Sequence, residues 1–222
     1  GLAEAGGPMV VHWPQRYFQD DLDESVAKVL DQWRRDMEAA GWRFCDGALP
    51  DAAALAHYNG IVLGREAADT HADALARHPE RIGEQVRRRL EAGAAIDPAE
   101  YRAVLAARAV HRQQFLDAAF EFATIIATPL LRVATPTGQE AEADHPDRIA
   151  SVLGEIGHNV RPFSYLGLPA LVVPVGRDAN GMPVAVQLVG RPGSEGELLR
   201  SGLAIERRVR FRKSSQSAAS YL

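Results

Sequence analysis

The stretch that decides the fold is residues 161–200, which reads RPFSYLGLPALVVPVGRDANGMPVAVQLVGRPGSEGELLR. It contains two apolar segments, 170–175 and 184–189, that are rich in the β-branched residues favoured in strands. Asn180-Gly181 lies between them and is a turn signal typical of a hairpin. Because each segment is apolar on both faces, the pattern predicts two central strands in a sheet that is covered on each side.

The segments beside this hairpin extend the same region. Residues 161–169 are rich in Pro and Gly, which predicts a loop that leads into the first strand. After the second strand, Ser194 and Glu197 resemble a capping box that opens a last helix. Upstream, residues 124–128 form a short β-branched run stopped by Pro129, which predicts a further buried strand.

The first half of the chain has the period of helices. Between residues 23 and 40 the apolar residues fall on one face, with Asp23 as an N-cap and Gly41 as a stop. Residues 130–159 hold several Pro, Gly and acidic residues, and they are predicted to be a loop with partial order. Further helices are predicted over residues 51–76, 79–93 and 97–122, and a short strand over residues 42–45.

The strands of the second half cannot make a self-sufficient sheet. Their sequences require cover on both faces, and the outer strand edges would stay unpaired. We therefore expect the chain to be part of a larger α/β unit.

The composition excludes several classes of protein. The chain has 222 residues, of which 46% are hydrophobic and 24% charged, as in an ordinary globular protein, and the single cysteine, Cys45, cannot form an internal disulfide. We expect a cytoplasmic protein with no nucleic-acid or membrane partner, because the net charge is -4 and no apolar run could span a bilayer. The seven histidines include no His-x-x-x-His pair with a nearby carboxylate, so no metal site is predicted.

Several elements carry a recognisable combination of residues: a late strand, a proline-containing loop, two strands and a closing helix. Their residues are Thr128, Pro129, Arg161, Pro162, Phe163, Gly167, Leu168, Pro169, Ala170, Val173, Pro174, Gly176, Gly181, Pro183, Gln187, Leu188, Gly190, Glu195, Leu198 and Leu199. These motifs resemble the C-terminal core of the amidase-signature family, whose members are serine hydrolases that cut the C–N bonds of amides. Ser164 departs from this family's pattern, which often has Asn there.

The resemblance implies the C-terminal part of the amidase-signature fold, with a mixed central sheet covered by helices on both faces. It implies one domain portion over residues 1–222, with a helical segment at about 1–122, a sheet and pocket segment at about 123–209, and a divergent tail at 210–222. The family's catalytic Ser-Ser-Lys belongs to the N-terminal half of its domain. We identify no catalytic residue here, and Lys213-Ser214-Ser215 lacks the glycines that would build an oxyanion hole.

Arg161, Phe163, Ser164, Tyr165 and Gly167 are the predicted substrate contacts. An arginine there would hold a carboxylate or another polar group, and the aromatic rings would line a pocket. The alternative is that Phe163 and Tyr165 fill the core while Arg161 caps local carbonyl groups.

Two functions remain open. The first is the C-terminal half of an amidase that hydrolyses a small amide through an acyl-serine intermediate, without metal or organic cofactor, and that is inactive without its missing N-terminal half. The second is a non-catalytic binding or assembly subunit that pairs with a complementary chain. A homodimer is left open. The Gly190, Gly193 and Gly196 spacing lacks the order of a dinucleotide-binding loop, so we interpret it as the start of a helix.

Overall fold

A computed structural model describes residues 9–138 and 146–209. Its strands are β1 (Val10–His12), β2 (Arg43–Cys45), β3 (Ile125–Pro129), β4 (Ala170–Arg177) and β5 (Pro183–Val189). Its helices are α1 (Glu24–Glu38), α2 (Ala52–Arg77), α3 (Glu84–Ala94), α4 (Pro98–Ala119), α5 (Pro146–Gly157), α6 (Arg161–Leu166) and α7 (Glu195–Val209), with a 3-10 turn at Pro79–Arg81.

The strands form one mixed sheet in the order β2-β1-β3-β5-β4. The strand pairs are parallel on one side and antiparallel on the other: β1 runs parallel to both β2 and β3, while β5 runs antiparallel to both β3 and β4. Helices pack on both faces of the sheet. The α/β fold class with a mixed, doubly covered sheet is therefore confirmed.

One face of the sheet is covered by α1 and α7. Asp23 caps α1 as predicted, with its carboxylate accepting hydrogen bonds from the backbone amides of Ser25 and Val26. The amphipathic spacing of α1 then turns its apolar side toward the strands. The buried residues it presents are Val26, Leu30, Trp33 and Met37, which pack with the inward residues of β1, β3, β4 and β5.

The opposite face is covered by α2, α4 and α6. Asp51 and Asp97 cap α2 and α4 as local carboxylate acceptors. The two helices and α6 enclose a second apolar cluster that includes Phe115, Phe163 and Ile126. This is the face on which the polar groups described below lie.

Two segments predicted to be loops are helices. Residues 161–166 form α6, in which Pro162 occupies the first turn and Gly167, at φ 67°, ends the helix in the left-handed region. Residues 146–157 form α5, so the loop prediction for 130–159 is wrong there, while residues 139–145 lie outside the described residues.

The prediction that both hairpin strands are central is correct for β5 and wrong for β4. In the described sheet β4 is an edge strand, and Val172 on it is 45% exposed. A register shift between Pro174 and Gly176 interrupts its pairing with β5, as is common where Pro occupies an edge. The last helix is present, but the Ser194 hydroxyl donates to the Arg191 carbonyl instead of forming the predicted capping box.

No helix in the described part of the chain is long and apolar enough to cross a membrane. The predicted tail, residues 210–222, lies outside the described residues.

Candidate functional site

Two adjoining grooves open at the carboxyl ends of the parallel strands β1 and β2. Ligands of α/β sheets commonly bind at this edge, because the loops that leave parallel strands meet there. The larger groove, of about 770 Å³, is lined by residues 14–18, 20 and 46–53. The smaller one, of about 440 Å³, is hereafter the Arg161 groove; it is lined by Tyr17, Ala53, Ala56, His57, Gly60, Ile61, Ile96 and Arg161. Tyr17 and Ala53 border both.

Tyr17 lies between the two grooves in a strained backbone conformation. Its φ of 71° is in the left-handed region, which is costly for a bulky side chain. Two hydrogen bonds to His158 hold it: the Tyr17 hydroxyl donates to the His158 carbonyl at 3.0 Å, and His158 Nε2 donates to the Tyr17 carbonyl at 3.3 Å. The two rings also stack, with centroids 4.1 Å apart. These contacts with His158, which directly follows α5, therefore hold Tyr17 in its strained conformation.

Both rings of this stack are neutral near pH 7. Burial raises the pKa of Tyr17 to about 12, against the opposing effect of the Arg161 and Arg132 guanidinium groups. Burial lowers the pKa of His158, and the nearby Arg132 charge lowers it further. The positive charge at this edge thus comes from the arginines and not from the histidine.

A buried polar network ties the Tyr17 turn to the sheet. The side-chain amide of Asn159 donates to the Phe18 carbonyl at 3.0 Å and to the Pro129 carbonyl at 2.8 Å. Gln187 on β5 donates to the Asn159 carbonyl and to the Thr128 hydroxyl. Because these groups are buried, each bond satisfies a polar group that would be costly to leave unpaired.

Arg132 fixes the chain that follows the Tyr17 turn. This buried guanidinium donates to the Asp20 carbonyl at 2.8 Å and forms an ion pair with Glu155 at 2.7 Å. Glu155 lies on α5, close in the chain to His158, which holds Tyr17. The loop after β1 and the end of α5 therefore form one connected unit beside the grooves.

The structure separates the five predicted substrate contacts. Phe163 is buried, stacks on Phe18 at 5.3 Å and contacts Phe115 edge-on. Tyr165 is buried as well, and its hydroxyl donates to the Val104 carbonyl at 2.8 Å.

The other three contacts lie at or near the surface. Ser164 and Gly167 are exposed, and Arg161 alone among the five lines a groove described above. The assignment of all five as substrate contacts stays a prediction.

Sequence reasoning missed Tyr17, His57 and Asn159. A short apolar run, Met9 to Val11 before Trp13 and Pro14, was the available signal for β1 and for the turn after it. No pattern marks Asn159, because its partners Phe18, Pro129 and Gln187 are distant in sequence, and none marks His57 as facing a groove.

No cluster of three or more His, Cys, Asp or Glu side chains within residues 9–138 and 146–209 could hold a metal ion. Of the chain's two lysines, Lys28 lies in the described part, where it is exposed and forms an ion pair with Glu24 at 2.8 Å. It lies on α1, across the sheet from the grooves, and is not positioned to exchange a proton with a group bound in them.

Comparison with known proteins assigns the family. The profile of the family named Amidase matches residues 2–199. The chain belongs to the amidase-signature family. A glutamyl-tRNA(Gln) amidotransferase subunit from Ruegeria sp. (strain TM1040) is 27% identical over 226 residues, covering 89% of this chain and 44% of the relative. The corresponding subunit from Zymomonas mobilis is 30% identical over 231 residues, with the same coverage of 89% and 44%.

Solved amidase structures have the same fold. A crystal structure of an amidase superposes with a TM-score of 0.79 at 27% identity, covering 92% of this chain and 47% of that one. A 6-aminohexanoate cyclic dimer hydrolase, at 18% identity and a TM-score of 0.76, agrees in fold. The chain therefore spans about half the length of the amidases and amidotransferase subunits that it matches.

Proposed function

We propose that this chain is the C-terminal half of an amidase-type hydrolase that cleaves the C–N bond of a small amide through an acyl-serine intermediate. The nucleophile, the second serine and the lysine belong to a segment outside the chain. The chain contributes the sheet, the helices on both of its faces and the grooves at the carboxyl ends of β1 and β2. One observation carries the proposal: the amidase profile extends through residues 2–199, while the chain covers 44% of a matched relative.

The described side chains agree with this division. The acyl transfer of such enzymes needs an activated serine together with a base and donors for the oxyanion. Ser25 is engaged at the N-terminus of α1, where its hydroxyl donates to Asp23, and Lys28 is bound to Glu24. Neither residue lies at the grooves.

The test is the release of ammonia from simple primary amides, measured for this chain alone and for the protein that also contains an N-terminal amidase half. We expect no hydrolysis by the chain alone, and hydrolysis that is blocked by a serine-directed fluorophosphonate in the longer protein. Hydrolysis by the purified chain with serine-reagent-sensitive kinetics would contradict the proposed division.

A second candidate is a non-catalytic subunit that pairs with another chain. The observation in its favour is that matched relatives are themselves named as subunits of an amidotransferase. The same assay separates the two functions. A longer protein that forms a stable complex but hydrolyses no amide and reacts with no fluorophosphonate favours the assembly role.

A further inference from the structure

The Arg161 groove combines one unpaired cation with an apolar floor. Among the side chains that the structure describes, no carboxylate lies within 4.0 Å of the Arg161 guanidinium. Ile61 and Ile96 supply branched apolar surface, and small residues of α2 leave the space open. A groove of this volume that is mostly apolar and carries one charged group is suited to a small amphipathic ligand.

Gly157 lets the guanidinium lie against the end of α5. A Cβ added at this position would stand 3.1 Å from Nε and 3.2 Å from Nη2 of Arg161. A side chain here would therefore crowd the guanidinium and require it to move by a few tenths of an ångström. The glycine leaves room for the guanidinium in its present position.

The charges around the two grooves differ in sign. The larger groove carries Asp20, Asp46 and Asp51 against one arginine, Arg16. The Arg161 groove has Arg161 and His57 as its ionisable groups apart from the Tyr17 phenol, which burial keeps protonated. Asp51 caps α2 through the amides of Ala53 and Ala54, so its charge is directed into the helix end. An anionic group is thus favoured beside Arg161 and disfavoured in the larger groove.

We propose that the Arg161 groove binds the carboxylate of an amide substrate whose carboxylate and amide are separated by a short aliphatic chain. The planar guanidinium fork matches a carboxylate in two parallel hydrogen bonds, and Ile61 and Ile96 contact the aliphatic part. This inference rests on the proposed amidase function and names its substrate class. A single guanidinium over an apolar floor suits a singly charged carboxylate better than a phosphate, whose sites usually gather several donors.

The experiment measures binding and not hydrolysis, so it can fail independently of the proposed activity. Succinamate and butyramide, a neutral analogue with a methyl group in place of the carboxylate, are titrated into the ¹⁵N-labelled chain, and amide shifts near Tyr17 and His57 are followed by NMR. We expect succinamate to bind about tenfold or more tightly than butyramide, since only the carboxylate forms charge-assisted hydrogen bonds with the guanidinium. Arg161→Ala should reduce succinamate to the affinity of butyramide and leave butyramide unchanged.

Two variants keep the test decisive if Arg161→Ala does not fold. Arg161→Lys retains the charge without the fork and should keep part of the preference. Gly157→Ala crowds the guanidinium and should weaken the binding of succinamate, to a smaller extent than Arg161→Ala, while the binding of butyramide stays unchanged. Arg200→Ala removes an exposed arginine on α7, across the sheet, and should change neither affinity.

Equal binding of the two amides, a preference that survives both Arg161→Lys and Gly157→Ala undiminished, or no saturable shift with succinamate would each overturn the proposal. Tighter binding of inorganic phosphate than of succinamate would also overturn it, since the ligand would then be a phosphate group. If succinamate binds as expected while the longer protein hydrolyses no amide, the substrate-class inference stands as a binding site and the hydrolytic function fails.

Discussion

The two faces of the sheet are built differently. Under α1 and α7 the contacts are almost entirely apolar, and Trp13, Trp33 and Phe44 meet there ring to ring at 5.5–6.3 Å. Under α2, α4 and α6 the apolar cluster adjoins a network of buried amides and a buried arginine. The first face stabilises the fold through apolar packing. On the second face, buried polar groups also hold the loop after β1 in place. The difference separates a face that packs the core from a face that positions the loop after β1.

The largest loss of stability is expected when a cavity is opened on the apolar face. Trp33 is 1% exposed and packs against both Trp13 and Phe44. We expect Trp33→Ala to lower the free energy of unfolding by about 3–5 kcal/mol, because a large buried ring is lost without repacking. Guanidinium unfolding followed by circular dichroism measures it. Leu199→Ala, on the exposed side of α7, should change stability by less than about 0.5 kcal/mol.

The groove face is tested through its network. Asn159→Asp keeps the side-chain shape but replaces the NH2 group, which donates to both the Phe18 and Pro129 carbonyls, with an oxygen that accepts. We expect a loss of about 2–4 kcal/mol, since buried acceptors lose their donors. Hydrogen exchange should also quicken at Gln19, whose amide bonds to Gln15 within the turn, before it quickens in α1.

The control for this change is Asn180→Asp. This substitution is the same chemical change in the exposed β4–β5 turn, where Asp-Gly is as acceptable as Asn-Gly. It should be close to neutral. If the two variants lose equal stability, the buried network does not hold the turn.

Two glycines, Gly60 on α2 and Gly93 on α3, differ in the space around them. A Cβ at Gly93 would collide with the Gly64 carbonyl where α3 packs on α2, whereas nothing lies within 4 Å of one at Gly60. We expect Gly93→Ala to destabilise by about 1–3 kcal/mol. Gly60→Ala should stabilise by about 0.5–1 kcal/mol, because alanine is the better helix former. Thermal unfolding of the two variants under identical conditions checks the opposite signs.

The smallest expected effect is a pH dependence from the Tyr17–His158 stack. The pKa of Tyr17 is raised in the folded chain. Its contribution to the free energy of unfolding is therefore complete below the pKa of an unfolded tyrosine, near 10, and is lost as the pH rises toward about 12. The pKa of His158 is lowered, so its contribution is complete above the unfolded value near 6.5 and is lost as the pH falls below it.

Urea unfolding across pH 5 to 11 tests this window. Tyr17→Phe should reduce the loss of unfolding free energy at alkaline pH and leave the loss at acidic pH unchanged. His158→Gln should do the reverse. If the loss of stability at alkaline pH is identical in Tyr17→Phe and in the parent chain, that loss arises from other tyrosines. Tyr101 and Tyr165 are candidates, since burial also raises their pKa values.

The elements predicted correctly are those with local causes. Asp23 and the apolar spacing that follows define α1 within one short segment, and the structure confirms both. The motifs of residues 161–200 identified the family, which the amidase profile confirms. Helix α6 was missed because Pro162 and Gly167 have two uses: they break a helix in its interior, but they open and close one at its ends.

The parts that were missed depend on tertiary neighbours. The edge position of β4 follows from the order of the sheet, and its apolar sequence alone resembles that of central β5. Three residues of β1 are too few to show a period. Arg161 was identified from its motif, but its partners in the groove come from the loop after β1 and from α2, which no local pattern connects.

The order of the strands has a consequence for synthesis of the chain. Val11 pairs with Ile125, and β3 in turn requires β5, so the innermost strands complete their hydrogen bonds only after Val189 has been made. Until then the edge of β3 that faces β5 has no strand partner in a nascent chain. The sheet is therefore completed late in synthesis, when the β4–β5 hairpin, the most local pairing in the sheet, becomes available to β3.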